Sequence, residues 1–382
     1  MRNLKRALSL ALASVMLMGM MVVGSSAASF PDVSAEDNTE AIAVLEAVKV
    51  MIGNENGEFE PDKNVTRNEM AVIMSKLMLG TYAADSYVGS HPFTDVPTWA
   101  DKYVAACYSA GIIAGRSETT YDGNSTVTAV EAAAMMLRAL GYEDLSKGAA
   151  QWDQPVAAKA NEINLFAGLG GAGNAAMNRN SVAKLSLNTL QATMVTTVRN
   201  GQDITLPDGT VIAGTRSYNL RTEKFGWVDA IDDEGVTNNG DHYGYLQLGE
   251  YLYKGDLEKA AGDPDSQGRP VDYKWVYDTE DVCDVLKDAK HTLKNNYTGK
   301  DLYNTLGKTV VDSINKDEEK DKDERDLSVY VDGDEVKDTA LSAFKTALTG
   351  KSTTKYGDTS ALAIGNGTRT EIFVSDEAVD VC

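Results

Sequence analysis

The sequence predicts an all-α N-terminal half built from helix–loop–helix repeats, followed by an acidic α+β region with room for two small modules. Three observations carry this prediction. Phrases recur at a spacing of about 62 residues before residue 200. Apolar residues in that half follow a helical period. After Arg199 the composition changes to short β-rich runs divided by turn residues.

The first element is residues 1–28. Arg2, Lys5 and Arg6 precede an uncharged apolar run over 7–24, and "SSAA" (25–28) follows. That order reads as a secretory signal peptide. The run approaches the roughly 20 residues that span a membrane. Its small-residue exit and the lack of a following cation favour cleavage. The mature protein is therefore expected to be exported, with no membrane association after cleavage.

The repeats come next. "FPDV" (30–33) returns as "FTDV" (93–96), and "VTRNE" (65–69) returns as "VTAVE" (127–131). Gly53 and Gly115 stand at matching distances before Glu69 and Glu131. A looser third copy follows: "QWDQPVAAKANEINLFAG" (151–168) aligns with "TWADKYVAACYSAGIIAG" (98–115), and "MNRNSVAKLSLNTL" (177–190) stands where "VTAVE" begins its helix. The repeats are bounded at 30–80, 91–142 and 150–197.

Each repeat reads as a helix, a Gly- and Asx-rich loop, and a second helix. In the second repeat Tyr103, Val104, Cys107 and Tyr108 form one apolar stripe over about 101–110, and Gly111 stops the helix. The second helix starts at a capping box. Thr66 and Glu69 supply it in the first repeat, Thr128 and Glu131 in the second. In the third, Asn178 caps with Ser181 as a weaker partner. Such a cap stabilises a helix by about 1 kcal/mol, so these residues need no ligand to explain them.

Arg67 is different. It follows the cap, in a first helical turn where the helix dipole disfavours a cation by a few tenths of a kcal/mol. Arg179 occupies the same place in the third repeat, and Ala129 in the second. An arginine beside orphan helix amides is expected to make an anion-binding corner. The alternative is a solvated arginine, or one paired with a nearby acid such as Asp62.

These phrases resemble the S-layer homology (SLH) family over about 165 of the 382 residues. The resemblance implies three lobes in a pseudo-threefold helical prism. It implies noncovalent binding of a secondary cell-wall polysaccharide, often pyruvylated, in grooves between the lobes. It assigns Arg67 and Arg179 to the anionic group, Trp99 and Trp152 to stacking on sugar rings or to lobe packing, and Gly115 and Arg116 to the turn beside the second helix. Asp32 and Asp95 would cap the first helix or touch glycan. The sequence departs from the family pattern at Ala129, in "SAEDNTEA" (34–41), which lacks a tryptophan, and in the third repeat, which lacks Thr-Arg-x-Glu. One or two working grooves are therefore expected.

The whole chain has 57 acidic and 36 basic residues, a net charge of −21, with the excess concentrated after residue 200. That balance argues against nucleic acid and anionic lipid as partners. Cys107, Cys283 and Cys382 are odd in number and far apart, and His91, His242 and His291 are isolated, so no metal or cofactor is expected.

In the acidic region, 201–382, a hairpin is expected around Pro207-Asp208-Gly209, a strand over 271–279, a helix over 280–296, a strand and turn over 327–336, a helix over 339–350 and a strand pair over 370–381. The charged run 316–326 reads as a solvated loop. "GDPDSQG" (262–268) begins like a calcium loop, but Lys274 stands where the bidentate acid belongs. No G-x-S-x-G or phosphate loop occurs. The end after Val381-Cys382 reads as the edge of a longer surface protein. The expected function is non-enzymatic: anchoring in the wall or surface layer of a Gram-positive bacterium, with other copies of itself as further partners. The alternatives are a glycan hydrolase, an adhesin or a solute-binding protein on the same anchor.

Overall fold

The computed structural model describes residues 30–287, apart from 144, 148, 171–172, 174, 225–229, 233, 239–240, 266–268, and beyond them only short pieces between 291 and 372. The expectations for 1–28, 316–326, 339–350 and 373–381 lie outside the described residues. The chain forms two compact units. One takes in residues 26–260 and 274–283, and the other takes in 261–273 and the chain from 284 onward. The first unit thus runs well past residue 200, where the composition changes.

Its helices are α1 (Thr39–Ala47), α2 (Arg67–Leu79), the short α3 (Thr81–Asp85), α4 (Thr98–Ser109), α5 (Ala129–Ala139), α6 (Asp153–Glu162) and α7 (Arg179–Leu190). Two of them fall in each repeat: α1 and α2, α4 and α5, and α6 and α7. Full capping boxes open α2 at Thr66/Glu69 and α5 at Thr128/Glu131. Asn178 opens α7, its side chain accepting from the Ser181 amide at 2.9 Å. The first helices end alike. Lys49, Gly111 and Asn164, at matching places, all take left-handed backbone, with φ of 60°, 71° and 58°. That conformation is easy for Gly111 and mildly strained for the other two.

The packing is cyclic. The first helix of each repeat lies against the second helix of the repeat before it: α4 on α2, α6 on α5, and α1 on α7. The strand-like segments before the second helices close the circle. Val65 N–H donates to Met177 O at 2.9 Å, Met177 N–H to Val127 O at 3.0 Å, and Val127 N–H to Val65 O at 2.9 Å. Ile42, Leu45, Met70, Met74, Met136, Leu137 and Leu185 fill the interior. The third repeat, the weakest in sequence, supplies a full share of this ring.

A strand layer follows. β1 (Val195–Asn200) pairs antiparallel with β4 (Thr215–Leu220), Val195 opposite Leu220. Between them β2 (Ile204–Thr205) and β3 (Val211–Ile212) form the expected hairpin, with Gly209 at φ 86° in its turn. β5 (Thr222–Glu223), β6 (Gly235–Asn238) and β7 (Asp241–Tyr245) make a sheet in the order β5-β7-β6. After α8 (Leu248–Tyr253), β8 (Leu257–Ala260), β9 (Val271–Tyr277) and β10 (Glu280–Leu286) make another, in the order β10-β9-β8.

The helix expected over 280–296 is corrected here. That stretch holds β10 and β11 (His291–Lys294). Val282, Val285 and Leu286 fit a helical stripe, but Asp278 and Thr279 both take positive φ, at 50° and 71°. A two-residue turn of that hand folds the chain straight back as a hairpin.

The strand layer is joined to the ring by backbone and by one large side chain. Val195 N–H donates to Leu140 O at 2.8 Å, and Leu248 N–H to Ala192 O at 3.1 Å. Trp275 is fully buried, and its Nε1–H donates to Glu40 Oε1 on α1 at 2.8 Å. Lys259 lies over the Trp275 ring at 5.1 Å and donates to Gln191 Oε1 beyond the end of α7 at 2.7 Å.

In the second compact unit, Asp265 Oδ2 accepts from Arg269 Nε at 2.7 Å, and Lys287 N–H donates to Pro270 O at 2.9 Å. Further along, β12 (Tyr297–Thr298), β13 (Tyr330–Val331), β14 (Asp334–Glu335), β15 (Lys355–Tyr356) and β16 (Arg369–Ile372) pair as β11 with β16, β12 with β15, and β13 with β14. The strand and turn expected at 327–336 correspond to β13 and β14.

Candidate binding site at the repeat boundaries

The first-turn arginines singled out in the sequence lie where one repeat meets the next. At the boundary of repeats one and two, Arg67 is 5% exposed. Its Nε donates to Tyr121 O at 3.2 Å, one terminal nitrogen to Ala114 O at 3.2 Å, and the other to Glu131 Oε1 at 3.3 Å. The guanidinium stacks on the Tyr121 ring at 4.8 Å, and the Tyr121 hydroxyl donates back to Arg67 O at 2.8 Å. Every acceptor is in repeat two.

The boundary of repeats three and one is built the same way. Arg179 Nε donates to Phe59 O at 2.6 Å and a terminal nitrogen to Ile52 O at 2.9 Å. The guanidinium lies over the Phe59 ring at 4.6 Å. Arg179 is half-buried, and desolvation draws its pKa down, against the opposing pull of Glu60, Glu69 and Asp32.

The free anion corner expected at Arg67 is therefore corrected. The first two amides of α2 are taken by the neighbouring repeat: Arg67 N–H donates to Ser125 O and Asn68 N–H to Gly123 O, both at 2.9 Å. The third amide, of Glu69, takes the Thr66 cap. In α7, Arg179 N–H and Asn180 N–H donate to Lys63 O and Pro61 O at 2.9 and 3.0 Å. These helix ends have no orphan amides to offer an anion.

Asp32 and Asp95 do not cap the first helices either. Asp32 accepts from the Phe59 and Glu60 amides at 2.8 and 2.7 Å, and Asp95 from the Tyr121 and Asp122 amides at 2.8 and 2.7 Å. Glu60 and Asp122 have φ of 57° and 58°, so each aspartate holds a left-handed residue just after the aromatic ring. Desolvation pushes both carboxyls upward, but the amide donors outweigh it, and both lie below the usual carboxylate range. The aromatic residues were missed in sequence, although Phe59 and Tyr121 each stand eight positions before the Arg67 place and could have been found by that offset.

Gly115 has a packing reason. A Cβ there would fall under 3.0 Å from the Phe93 ring and the carbonyls of Ser117 and Thr120. Beside it, Arg116 is half-exposed. Its terminal nitrogen meets Glu131 Oε1 at 2.7 Å and its Nε meets Asp122 at 3.6 Å. Glu131 thus closes its own helix cap while facing two arginines. Trp99, in the first turn of α4, is 54% exposed, and Trp152, just before α6, is 44% exposed. Among the described residues no group of His, Cys, Asp or Glu could hold a metal ion.

This is a ring of helical repeats with arginine–aromatic contacts at two of its boundaries and exposed tryptophans at the starts of two first helices. The model of the S-layer homology domain matches residues 29–71 and 92–133, so the chain carries two such domains. A cell surface protein of Thermoanaerobacter kivui is 28% identical over 331 residues, which cover 78% of this chain and 42% of that protein. A middle cell wall protein of Brevibacillus brevis is 31% identical over 170 residues, 44% of this chain and 16% of that one. An endoglucanase of a Bacillus species is 30% identical over 151 residues, 37% of this chain and 16% of that one. The chain spans less than half the length of these curated relatives.

Proposed function

We propose that this is a non-enzymatic bacterial cell-surface protein, held noncovalently on a secondary cell-wall polysaccharide by its N-terminal array. The observation that carries this reading is the closed ring: two S-layer homology domains and a third helix pair, a degenerate copy of the same repeat, share one cyclic hydrogen-bond pattern. The surface-protein names of the relatives support it. The relative named an endoglucanase matches over 37% of this chain, which gives no ground for assigning its activity here.

In this reading the exposed faces of Trp99 and Trp152 stack on sugar rings, and Arg116 meets an anionic substituent such as a pyruvate ketal. Gly115 shapes that turn. Arg67 and the half-buried Arg179 hold the groove walls. The strand layer and acidic region face outward, where other copies of the chain are the fitting partners in a surface layer of a Gram-positive wall. The test is a pull-down of the exported chain on purified wall sacculi, before and after stripping of the secondary polymer. Binding is expected before stripping and lost after it; binding that survives would overturn the proposal.

A further inference from the structure

Two boundaries of the ring share one device, and the sequence at the third lacks its arginine and its aromatic residue. The device has a key and a receptor. The key is the first-turn arginine of one repeat, Arg67 or Arg179. The receptor lies in the next repeat around the ring: an aromatic ring, its carbonyl, a second carbonyl from the turn, and the aspartate that holds the aromatic segment in place. For Arg67 these are Tyr121, Ala114 and Asp95. For Arg179 they are Phe59, Ile52 and Asp32.

The key for the boundary of repeats two and three would stand at 129, and its receptor would stand in repeat three. Position 129 is alanine. In repeat three the aspartate of the opening phrase stands in the sequence as Asp144, in "YEDL" (142–145), and lies outside the described residues. The aromatic position is Gly171 when counted back from Arg179, and the whole stretch 169–176 has no aromatic residue. The key and the aromatic part of its receptor are missing together. Repeat three, the most degenerate copy, still keeps its own key, Arg179, and the receptor for that key is in repeat one and intact. A key retained wherever its receptor is retained follows the boundary it serves, not the quality of its own repeat.

We infer that the first-turn arginine of each repeat is an inter-repeat lock that positions the groove walls. Among the described residues the ring carries two locks, at the boundaries of repeats one with two and three with one, and the arginine of a third is replaced by Ala129. Arginines spent on carbonyls and a ring inside the protein stabilise the fold without any polymer present, which separates this role from direct ligand contact. The inference stands whether or not the ligand is a wall glycan.

The test is thermal melting of the exported chain in the absence of wall polymer, with Arg67→Ala, Tyr121→Leu and the double variant. Removing one side of a buried charged contact should lower Tm by about 6 °C or more in a unit of this size. The double variant should fall by clearly less than the sum of the singles, since key and receptor are one interaction. Arg179→Ala should also lower Tm. Ala129→Arg should not raise it, because the stretch 169–176 holds no aromatic residue to receive the new side chain. Additive losses for Arg67 and Tyr121, an unchanged Tm on removing either arginine, or a rise with Ala129→Arg would each overturn the inference.

Discussion

The helical ring and the strand layer belong to one compact unit, yet they hold together by different kinds of contact. In the ring each job is done more than once by the same residue type: a Thr–Glu box opens a helix, an aspartate staples a loop, an arginine spans a boundary. In the strand layer each contact occurs once. Among the described residues Trp275 and Lys259 have no counterparts at a fixed offset. Glu250 opens α8 as Glu69 and Glu131 open their helices, but it is fully buried, and its carboxylate accepts from the Ile231 amide at 3.3 Å as well as the Gln247 amide at 2.9 Å. Burial raises its pKa even so, against the pull of those amides. Repetition spreads a loss over several sites, whereas a unique contact has no understudy.

The largest effect should come from breaking that contrast at its join. Trp275→Ala removes a fully buried indole together with the N–H that Glu40 Oε1 accepts. A Trp→Ala change in a core costs about 3–5 kcal/mol. Urea unfolding of the exported chain should show this loss. If the strand layer were an independent domain, the ring would keep its own transition and only a second one would shift; a single lowered transition supports one cooperative unit.

The same contrast explains what was legible. The ring could be read because its grammar recurs: Thr66 and Thr128, Glu69 and Glu131, Arg67 and Arg179 stand at fixed offsets, and helical periodicity fills the rest. Partner identity was harder to read. Capping is local and visible in four residues, but the acceptors of Arg67 lie 47 to 64 positions away, and only the ring closure brings them near. That is why Arg67 read as an anion corner when its helix amides are already taken. The strand at 280–286 was misread for a related reason. Its apolar spacing fits a helix, and the two-residue turn at Asp278-Thr279, which decides the matter, carries neither of the glycines that usually mark such a turn.

A smaller effect sharpens the view of the ring as repeated and redundant. Asp32 and Asp95 have folded pKa values below their ordinary value. A lowered folded pKa gives stability that is fully present above the unfolded pKa, near 3.9, and is lost as pH falls through the folded one. Asp32→Asn and Asp95→Asn should each cost about 1 kcal/mol at neutral pH, the scale of one hydrogen bond. The paired variant should show a flatter stability curve below about pH 4. An acid limb as steep as that of the parent chain would show that other carboxylates set it.

The smallest effect on stability should come from the tryptophans, and it bears most directly on binding. Trp99 and Trp152 leave about half of their surface in solvent, so Trp99→Ala and Trp152→Ala should change folding by no more than about 0.5 kcal/mol, as surface substitutions do. Stacking on a sugar ring would still be lost. The two residues differ in one respect: Trp99 opens the first helix of the repeat that receives Arg67, and Trp152 stands before the first helix of the repeat that follows Ala129. If fixed walls are what make a groove competent, Trp99→Ala should weaken sacculus binding about tenfold or more, the scale of 1.4 kcal/mol. Trp152→Ala should then change it little. Equal losses would mean that the wall arginine is not required at a binding boundary, and a loss confined to Trp152→Ala would place the working groove where the ring is unlocked.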